Sequence, residues 1–223
     1  MSQEIFLYWG SGSTPCWRIQ LVLEEKNLQY EQKLLSFEKQ EHKSEEIMKL
    51  NSRGQLPTFK IGDLVINESI AACLYLEDNF KTQGTCLIPK ESQPSILQRT
   101  FEALNLQKFC NENIVYYVWR TPIEKQDGSL LIQKKKDLNV ELERWENYLA
   151  EQKTEFIASS QFSMADVIFF PQLAFCVRMG YPLESKCPKL FKYYETLRKR
   201  SSIEKSWPPH WKNTQNSTML SDC

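Results

Sequence analysis

The chain is short of histidine, with only His42 and His210 among 223 residues. Neither stands at metal-ligand spacing with a cysteine, so no metal is expected. Neither sign of charge is in excess, with 28 Lys and Arg against 28 Asp and Glu. That balance gives no electrostatic case for nucleic acid or an anionic membrane surface as partner. No apolar run approaches membrane-spanning length, and the opening residues lack the basic segment, apolar stretch and cleavage pattern of a signal peptide. The seven cysteines include no CxxC pair and are odd in number, which argues against a disulfide framework and for a reducing, cytoplasmic setting. The glycosylation-type matches at Asn67-Glu68-Ser69 and Asn216-Ser217-Thr218 are then coincidental. The runs Lys134-Lys135-Lys136 and Arg198-Lys199-Arg200 have acids nearby and read as solvated helix faces.

What the chain has is apolar and aromatic bulk: 41% hydrophobic residues, twelve Phe, nine Tyr and six Trp. That supports a real core and excludes disorder over most of the length. The length fits two domains. Ile5 to Trp9 reads as a strand, Cys16 to Lys26 as a helix, Gln32 to Leu35 as a short strand and Lys43 to Leu50 as a short helix with Ile47 and Leu50 inward. Thr58-Phe59-Lys60-Ile61 and Leu64-Val65-Ile66 flank Gly62-Asp63 as a hairpin, and Ser69 to Phe80 follows as a helix burying Ile70, Leu74 and Leu76. The order βαβαββα predicts a small mixed sheet with helices on it over residues 1–82.

Gly84, Pro89 and Pro94 interrupt periodicity and place a linker at 83–93. A helical domain is expected over 94–212. Pro94 to Arg120 predicts one long helix with Leu97, Phe101 and Leu104 on one face, and Lys134 to Gln152 a second with a seam of Leu138, Leu142, Trp145 and Leu149. Ser163-Met164-Ala165-Asp166 has the form of a capping box, with Phe162 and Val167 as a hydrophobic staple, and opens an apolar stretch through Val177 that predicts the buried central helix. Pro188 to Arg200 predicts a last helix, and the polar tail 213–223 is expected to be disordered.

Chemistry concentrates after the first strand, in Gly10-Ser11-Gly12-Ser13-Thr14-Pro15-Cys16-Trp17-Arg18. Pro15 suits the first helical position, so the hydroxyls stand at a helix N-terminus, where unpaired N–H groups and the dipole favour an anion. Cys16 follows the proline and is read as part of the helix packing rather than as a nucleophile.

The hydroxyl-bearing first turn, Gly54-Gln55-Leu56-Pro57 before the hairpin, Glu68-Ser69 at the next helix start and the helical second half together resemble the soluble glutathione transferases. The resemblance covers about residues 4–205, and within it the first turn resembles the rho class, with theta, delta and zeta classes also using a serine there. The fold it implies is an N-terminal thioredoxin-like domain followed by an all-helical one. Glutathione becomes the implied co-substrate, small apolar electrophiles the implied partners in the reaction, and a homodimer the implied assembly.

By the same resemblance the catalytic hydroxyl is Ser13, two positions before the proline, with Ser11 as the alternative and Thr14 as a cap. A thiol of pKa about 8.5 needs about 2.7 kcal/mol to fall by two units. One hydrogen bond to a charged group supplies about 1.5–3 kcal/mol and a helix N-terminus about 0.3–1. Leu56-Pro57 resembles a cis-proline turn that offers the Leu56 backbone to the cysteinyl part of glutathione. Glu68 and Ser69 are implied to take its γ-glutamyl ammonium and carboxylate, His42 and Lys43 its glycyl carboxylate, and Gln55 to contribute its amide. Arg18 is read as structural, paired with a carboxylate behind the turn. Phe109 and Tyr116 are the candidate electrophile pocket, with Trp207 or Trp211 closing its mouth. Two rivals stay open: a zeta-like cis–trans isomerase using glutathione, and a non-catalytic binding module on the same fold.

Overall fold

The computed structural model describes residues 4–152 and 154–223. Four strands are β1 (Ile5–Trp9), β2 (Glu31–Leu34), β3 (Thr58–Ile61) and β4 (Leu64–Ile66). The α-helices are α1 (Thr14–Glu25), α2 (Glu45–Leu50), α3 (Ser69–Asn79), α4 (Gln93–Gln107), α5 (Tyr116–Arg120), α6 (Gly128–Glu151), α7 (Met164–Arg178), α8 (Leu183–Lys186), α9 (Pro188–Leu197) and α10 (Ser201–Ser206). The chain divides into two compact units, one comprising the residues up to Leu87 with Arg200–Thr214, the other Ile88–Lys199 with Gln215–Cys223.

In the first unit the sheet order is β2-β1-β3-β4, with β1 and β2 parallel and the remaining pairs antiparallel. This is the thioredoxin-like arrangement that the βαβαββα order predicts. Central β1 alternates, burying Ile5, Leu7 and Trp9, whereas all four residues of edge strand β2 are exposed. Helix α1 packs on α3 and α10. On α3 the inward residues are Ser69, Ala72, Cys73, Leu76 and Glu77, so Ile70 and Leu74, expected inside, are only half-buried. The small Ala72 and Cys73 let α1 approach closely, and Glu77 is drawn in by Lys26 at 2.6 Å, whose ammonium is fully buried. Leu50 is likewise half-buried beside a fully buried Ile47.

In the second unit the largely apolar α7 is the buried centre, buried from Met164 to Cys176, Asp166 and Gln172 included, and carrying Pro171 inside it. Its capping box is formed: the Ser163 N–H donates to Asp166 Oδ2 at 2.8 Å, and the staple residues Phe162 and Val167 are both buried. The α6 seam of Leu138, Leu142, Trp145 and Leu149 is buried as its spacing predicts, with Trp145 4.2 Å from Phe169 between ring centroids.

Four expectations for these helices need correction. On α4 the face of Phe101 and Leu104 points outward, 52% and 36% exposed, and Ile96, Thr100, Ala103 and Leu106 face inward. Spacing establishes that residues share a face but not which face is covered, and the smaller set lets α4 approach α7. The long helix is interrupted by a π-helical turn, Lys108–Val115, from which Asn111 accepts a 2.6 Å bond from Gln172. Helix α6 begins at Gly128 rather than near Lys134, capped by Asp127, which accepts from the Leu130 N–H at 3.1 Å. Its first turns expose Leu130 and Ile132, so they carry no buried periodicity. The helix expected from Pro188 to Arg200 ends at Leu197 as α9, and it is not the last, because α10 begins separately at Ser201.

Residues beyond Asn213, expected to lack structure, carry hydrogen bonds from Ser217 N–H to Arg178 O and from Leu220 N–H to Met179 O, both 2.9 Å, and an ion pair between Lys135 and Asp222. No helix among the described residues is long and apolar enough to cross a membrane.

Candidate active site

The register of the first sheet gathers the site loops at one end. Tyr8 faces Thr58 across β1 and β3, and Phe59 faces Ile66 across β3 and β4. The turn leaving β1, the Leu56-Pro57 turn entering β3 and the Glu68-Ser69 step leaving β4 therefore lie at the same edge. The segment leaving β2 joins them through the Leu35 N–H, which donates to Trp9 O at 2.8 Å. A Cβ at Gly10 would lie 2.2 Å from the Phe37 ring. That ring is 5.2 Å from His42 between centroids and links the first turn to the His42 segment.

Helix α1 begins at Thr14, so Pro15 is second rather than first; its missing N–H still falls among those that no helix partner would satisfy. Ser13 is the N-cap, with extended backbone angles of −74° and 111°, and its side chain makes no capping bond. Its hydroxyl instead lies within hydrogen-bonding reach of the Cys16 thiol. Burial pushes that thiol up to about 11, so Cys16, fully inaccessible, stays protonated at neutral pH. Arg18 is buried beside the Cys16 and Cys73 thiols, and burial lowers its guanidinium to about 10. Ser11 has a separate partner: its Oγ is 2.6 Å from His210 Nδ1.

The Leu56–Pro57 bond is cis, as its motif suggests. The loop before it is organised by buried Asn51, whose amide donates to Gln55 O at 2.9 Å and whose Oδ1 accepts the Arg53 N–H at 3.1 Å. Gly54 has φ of 53°, and a Cβ there would sit 2.8 Å from Lys43 Cδ and Met48 Sδ. Lys43 thus lies against the loop, donating from Nζ to Arg53 O at 3.0 Å. Beyond the loop is a cleft of about 380 Å³ lined by Gln55, Glu68, Arg53, Asn67 and the edge of β4.

Gln55 and Glu68 therefore meet in one cleft, with Leu56, Pro57 and Ser69 their chain neighbours. Glu68 is exposed and makes no capping bond, and Ser69, only 8% exposed, opens α3. His42 and Ser13 are outside the lining of that cleft. His42 Nδ1 is buried without a hydrogen-bond partner. Burial first and the Lys43 charge second hold this imidazole below its ordinary value, so it is neutral at pH 7. Positive charge at this edge falls to Lys43 and Arg53.

Phe109 and Tyr116 lie in the second unit, the former in the π-turn and both half-buried. The Tyr116 ring is 6.2 Å from Trp119 and is covered by Arg120 at 4.6 Å. Trp207 and Trp211 form an edge-to-face cluster with Trp17 in the first unit, at 5.2 and 5.7 Å. No group of three or more His, Cys, Asp or Glu among the described residues is arranged to hold a metal ion.

Sequence reasoning missed Asn51, Arg53 and Asn67, since Asn51-Ser52-Arg53-Gly54 reads simply as a turn. It also missed His210, whose partner is 199 positions away.

Two family models match this chain: the N-terminal domain of glutathione S-transferases over residues 4–78 and their C-terminal domain over residues 110–206. Glutathione S-transferase A of Pleuronectes platessa is 49% identical, with all of both chains covered. The human relative glutathione S-transferase theta-2B is 27% identical over 85% of this chain and 78% of its own. Among solved structures, a glutathione S-transferase from the Antarctic clam Laternula elliptica superposes with a TM-score of 0.89 at 44% identity, covering 98% of this chain and 99% of that one. With the thioredoxin-like sheet, the cis-proline turn and the helical second unit in place, the chain belongs to the glutathione S-transferase family.

Proposed function

We propose that this protein joins the sulfur of glutathione to small apolar electrophiles, with Ser13 as the hydroxyl that stabilises the thiolate. The observation that carries the choice is the difference between two serines of one turn. The Ser11 hydroxyl is against His210, whereas the Ser13 hydroxyl sits at the mouth of α1 without a capping bond, beside the protonated Cys16 thiol, a weak partner that a thiolate outcompetes. A sulfur placed there accepts the Ser13 O–H and lies at the positive end of the helix. The thiolate then attacks the electrophilic carbon and forms the thioether, while the leaving group takes its electron pair away. Holding both reactants together supplies much of the rate.

The tripeptide would lie along the sheet edge. Leu56 offers its N–H and C=O to the cysteinyl residue as an added strand does. Glu68 takes the γ-glutamyl ammonium, and Ser69 with the first N–H groups of α3 takes the carboxylate. At the glycyl end His42, being neutral, donates a ring N–H, Lys43 supplies charge and Gln55 its amide. Phe109 and Tyr116 form the electrophile pocket. A cytoplasmic homodimer of the rho class is the finer reading, supported by relatives from aquatic animals and by the exposed Phe101 and Leu104 one turn apart on α4.

The test follows the ultraviolet absorbance of the bound thiolate and the conjugation of an activated aryl halide. Ser13→Ala is expected to abolish the thiolate signal near neutral pH and most turnover while glutathione affinity changes little. Persistence of both in Ser13→Ala, with loss in Ser11→Ala, transfers the role to Ser11. Absence of the signal in the unaltered protein leaves a binding module.

A further inference from the structure

The segment Arg200–Thr214 belongs to the first unit although it follows the helical stretch in sequence. Three sets of contacts seat it. Arg200 makes a two-pronged bond to Glu25, from Nε at 2.6 Å and from the second guanidinium nitrogen at 2.8 Å. Trp17 Nε1 donates to Ser206 Oγ at 2.8 Å. Trp207 and Trp211 stand edge-on to Trp17 and to each other. Trp17 lies on the first turn of α1, so the segment is fixed to the helix whose N-terminus is the candidate thiolate site.

What the segment delivers there is His210. Its Nδ1 reaches Ser11 Oγ at 2.6 Å, and its ring covers Gly12. Gly12 has φ of 79°, and a Cβ on it would lie 2.8 Å from His210 Cε1 and 3.1 Å from Trp211 Nε1. Glycine is therefore required twice, by the backbone conformation and by the imidazole seated on it. The Ser13 N–H, one residue on, donates to Gly10 O at 3.1 Å and closes the turn. The turn thus has the α1 cap on one side and the imidazole on the other.

We propose that His210 is a positioning residue for the thiolate site: by engaging the Ser11 hydroxyl and covering Gly12, it holds the Gly10–Ser13 turn in the arrangement that leaves the Ser13 hydroxyl to the sulfur. The proposal takes the neutral ring with its proton on Nε2, so that Nδ1 accepts the single hydrogen of Ser11 and removes that hydroxyl from competition. It rests on Ser13 being the thiolate donor and adds that the choice between two serines of one turn is made by a residue about 200 positions away.

Chemistry distinguishes this from a merely structural histidine. Asparagine carries its amide oxygen about where Nδ1 stands, whereas glutamine carries its own nearer to Nε2. In the full chain, His210→Ala is expected to raise the apparent pKa of the bound glutathione sulfur and lower kcat about fivefold, the effect of one hydrogen bond, with KM for glutathione changed less. His210→Asn is expected to restore both, and His210→Gln neither. Ser11→Ala leaves the segment untouched and keeps the test usable if His210→Ala loosens it; it is expected to reproduce the His210→Ala shift. The double variant Ser11→Ala with His210→Ala is expected to lose no more than either alone.

Independent, additive losses, equal rescue by Asn and Gln, or an unmoved sulfur pKa in both His210→Ala and Ser11→Ala overturn the proposal. Ser13→Ala separates its failure from that of the underlying reading. If Ser13→Ala loses the thiolate while His210→Ala and Ser11→Ala keep it, only the role of His210 falls. If Ser13→Ala keeps the thiolate, the assignment of Ser13 falls and the role of His210 falls with it.

Discussion

Each unit is tied together by a buried carboxylate, and the two are satisfied in different ways. Asp166 in the second unit is fully buried and accepts only from neutral donors: the Ile157 and Ser163 N–H groups, the Ser163 hydroxyl and the Tyr193 phenol, at 2.8–3.0 Å. Glu25 in the first unit, 6% exposed, accepts a two-pronged bond from Arg200 and the hydroxyls of Thr85 and Ser202. Burial raises the Asp166 carboxyl, and its four hydrogen bonds do not cancel that rise. Burial would also raise Glu25, but Arg200 with the two hydroxyls overcomes it and the net displacement is downward. A cation thus replaces the lost hydration of a carboxylate more completely than neutral dipoles do.

The largest expected effect breaks the neutral hub. Asp166→Ala strands buried N–H and O–H donors and is expected to cost about 4 kcal/mol in denaturant unfolding. Ser13→Ala touches neither hub and is expected to lower turnover about a hundredfold, equivalent to about 3 kcal/mol. Its stability is expected to move by less than about 0.5 kcal/mol. Glu25→Ala is expected to cost less than the loss of Asp166, about 2 kcal/mol, because Arg200 is partly exposed and turns to water. The weakest test is Phe101→Ser on the exposed face of α4, expected to leave stability within about 0.5 kcal/mol and to lower the association of copies in sedimentation.

Acidity sharpens the same contrast, because the two carboxyls respond with opposite sign. The folded-state pKa of Glu25 is depressed, so its contribution is present above its unfolded value of about 4.3 and is lost as pH falls toward the folded one. The folded-state pKa of Asp166 is raised, so its contribution is fully present below about 3.9 and is lost as pH rises through the elevated value. Glu25→Ala should therefore flatten the acid limb of the stability profile, and Asp166→Asn the part just above it. Thermal unfolding from pH 3 to 7 distinguishes them; parallel profiles for both variants would contradict the assignment of opposite signs.

The Asp166 side of this contrast was legible in the sequence and most of the Glu25 side was not. Ser163 to Asp166 is a local pattern followed by an apolar stretch that Gln172 alone interrupts before Arg178, and the first turn, Leu56-Pro57 and Glu68-Ser69 are short motifs in order. The partners of Glu25 are 60 and 175–177 positions away, and no spacing rule reaches them. The outward turn of Phe101 was hidden for a related reason: periodicity specifies a shared face, but the covering surface is supplied by another helix. His42 was legible as a candidate, yet not its neutrality, which arises from burial and from the neighbouring lysine once the loop has folded.

Gly84 carries a practical lesson for dissecting the protein. A Cβ there would come within 2.1 Å of Glu25 O, and the next residue sends its N–H to that same carbonyl at 2.9 Å. Excising the thioredoxin-like portion at the end of α3 would remove this clamp along with Arg200 and Ser202. A free-standing fragment should instead run through Leu87 and receive Arg200–Thr214 as a grafted peptide, which makes a circular permutant with that peptide fused ahead of β1 the natural minimal version to build.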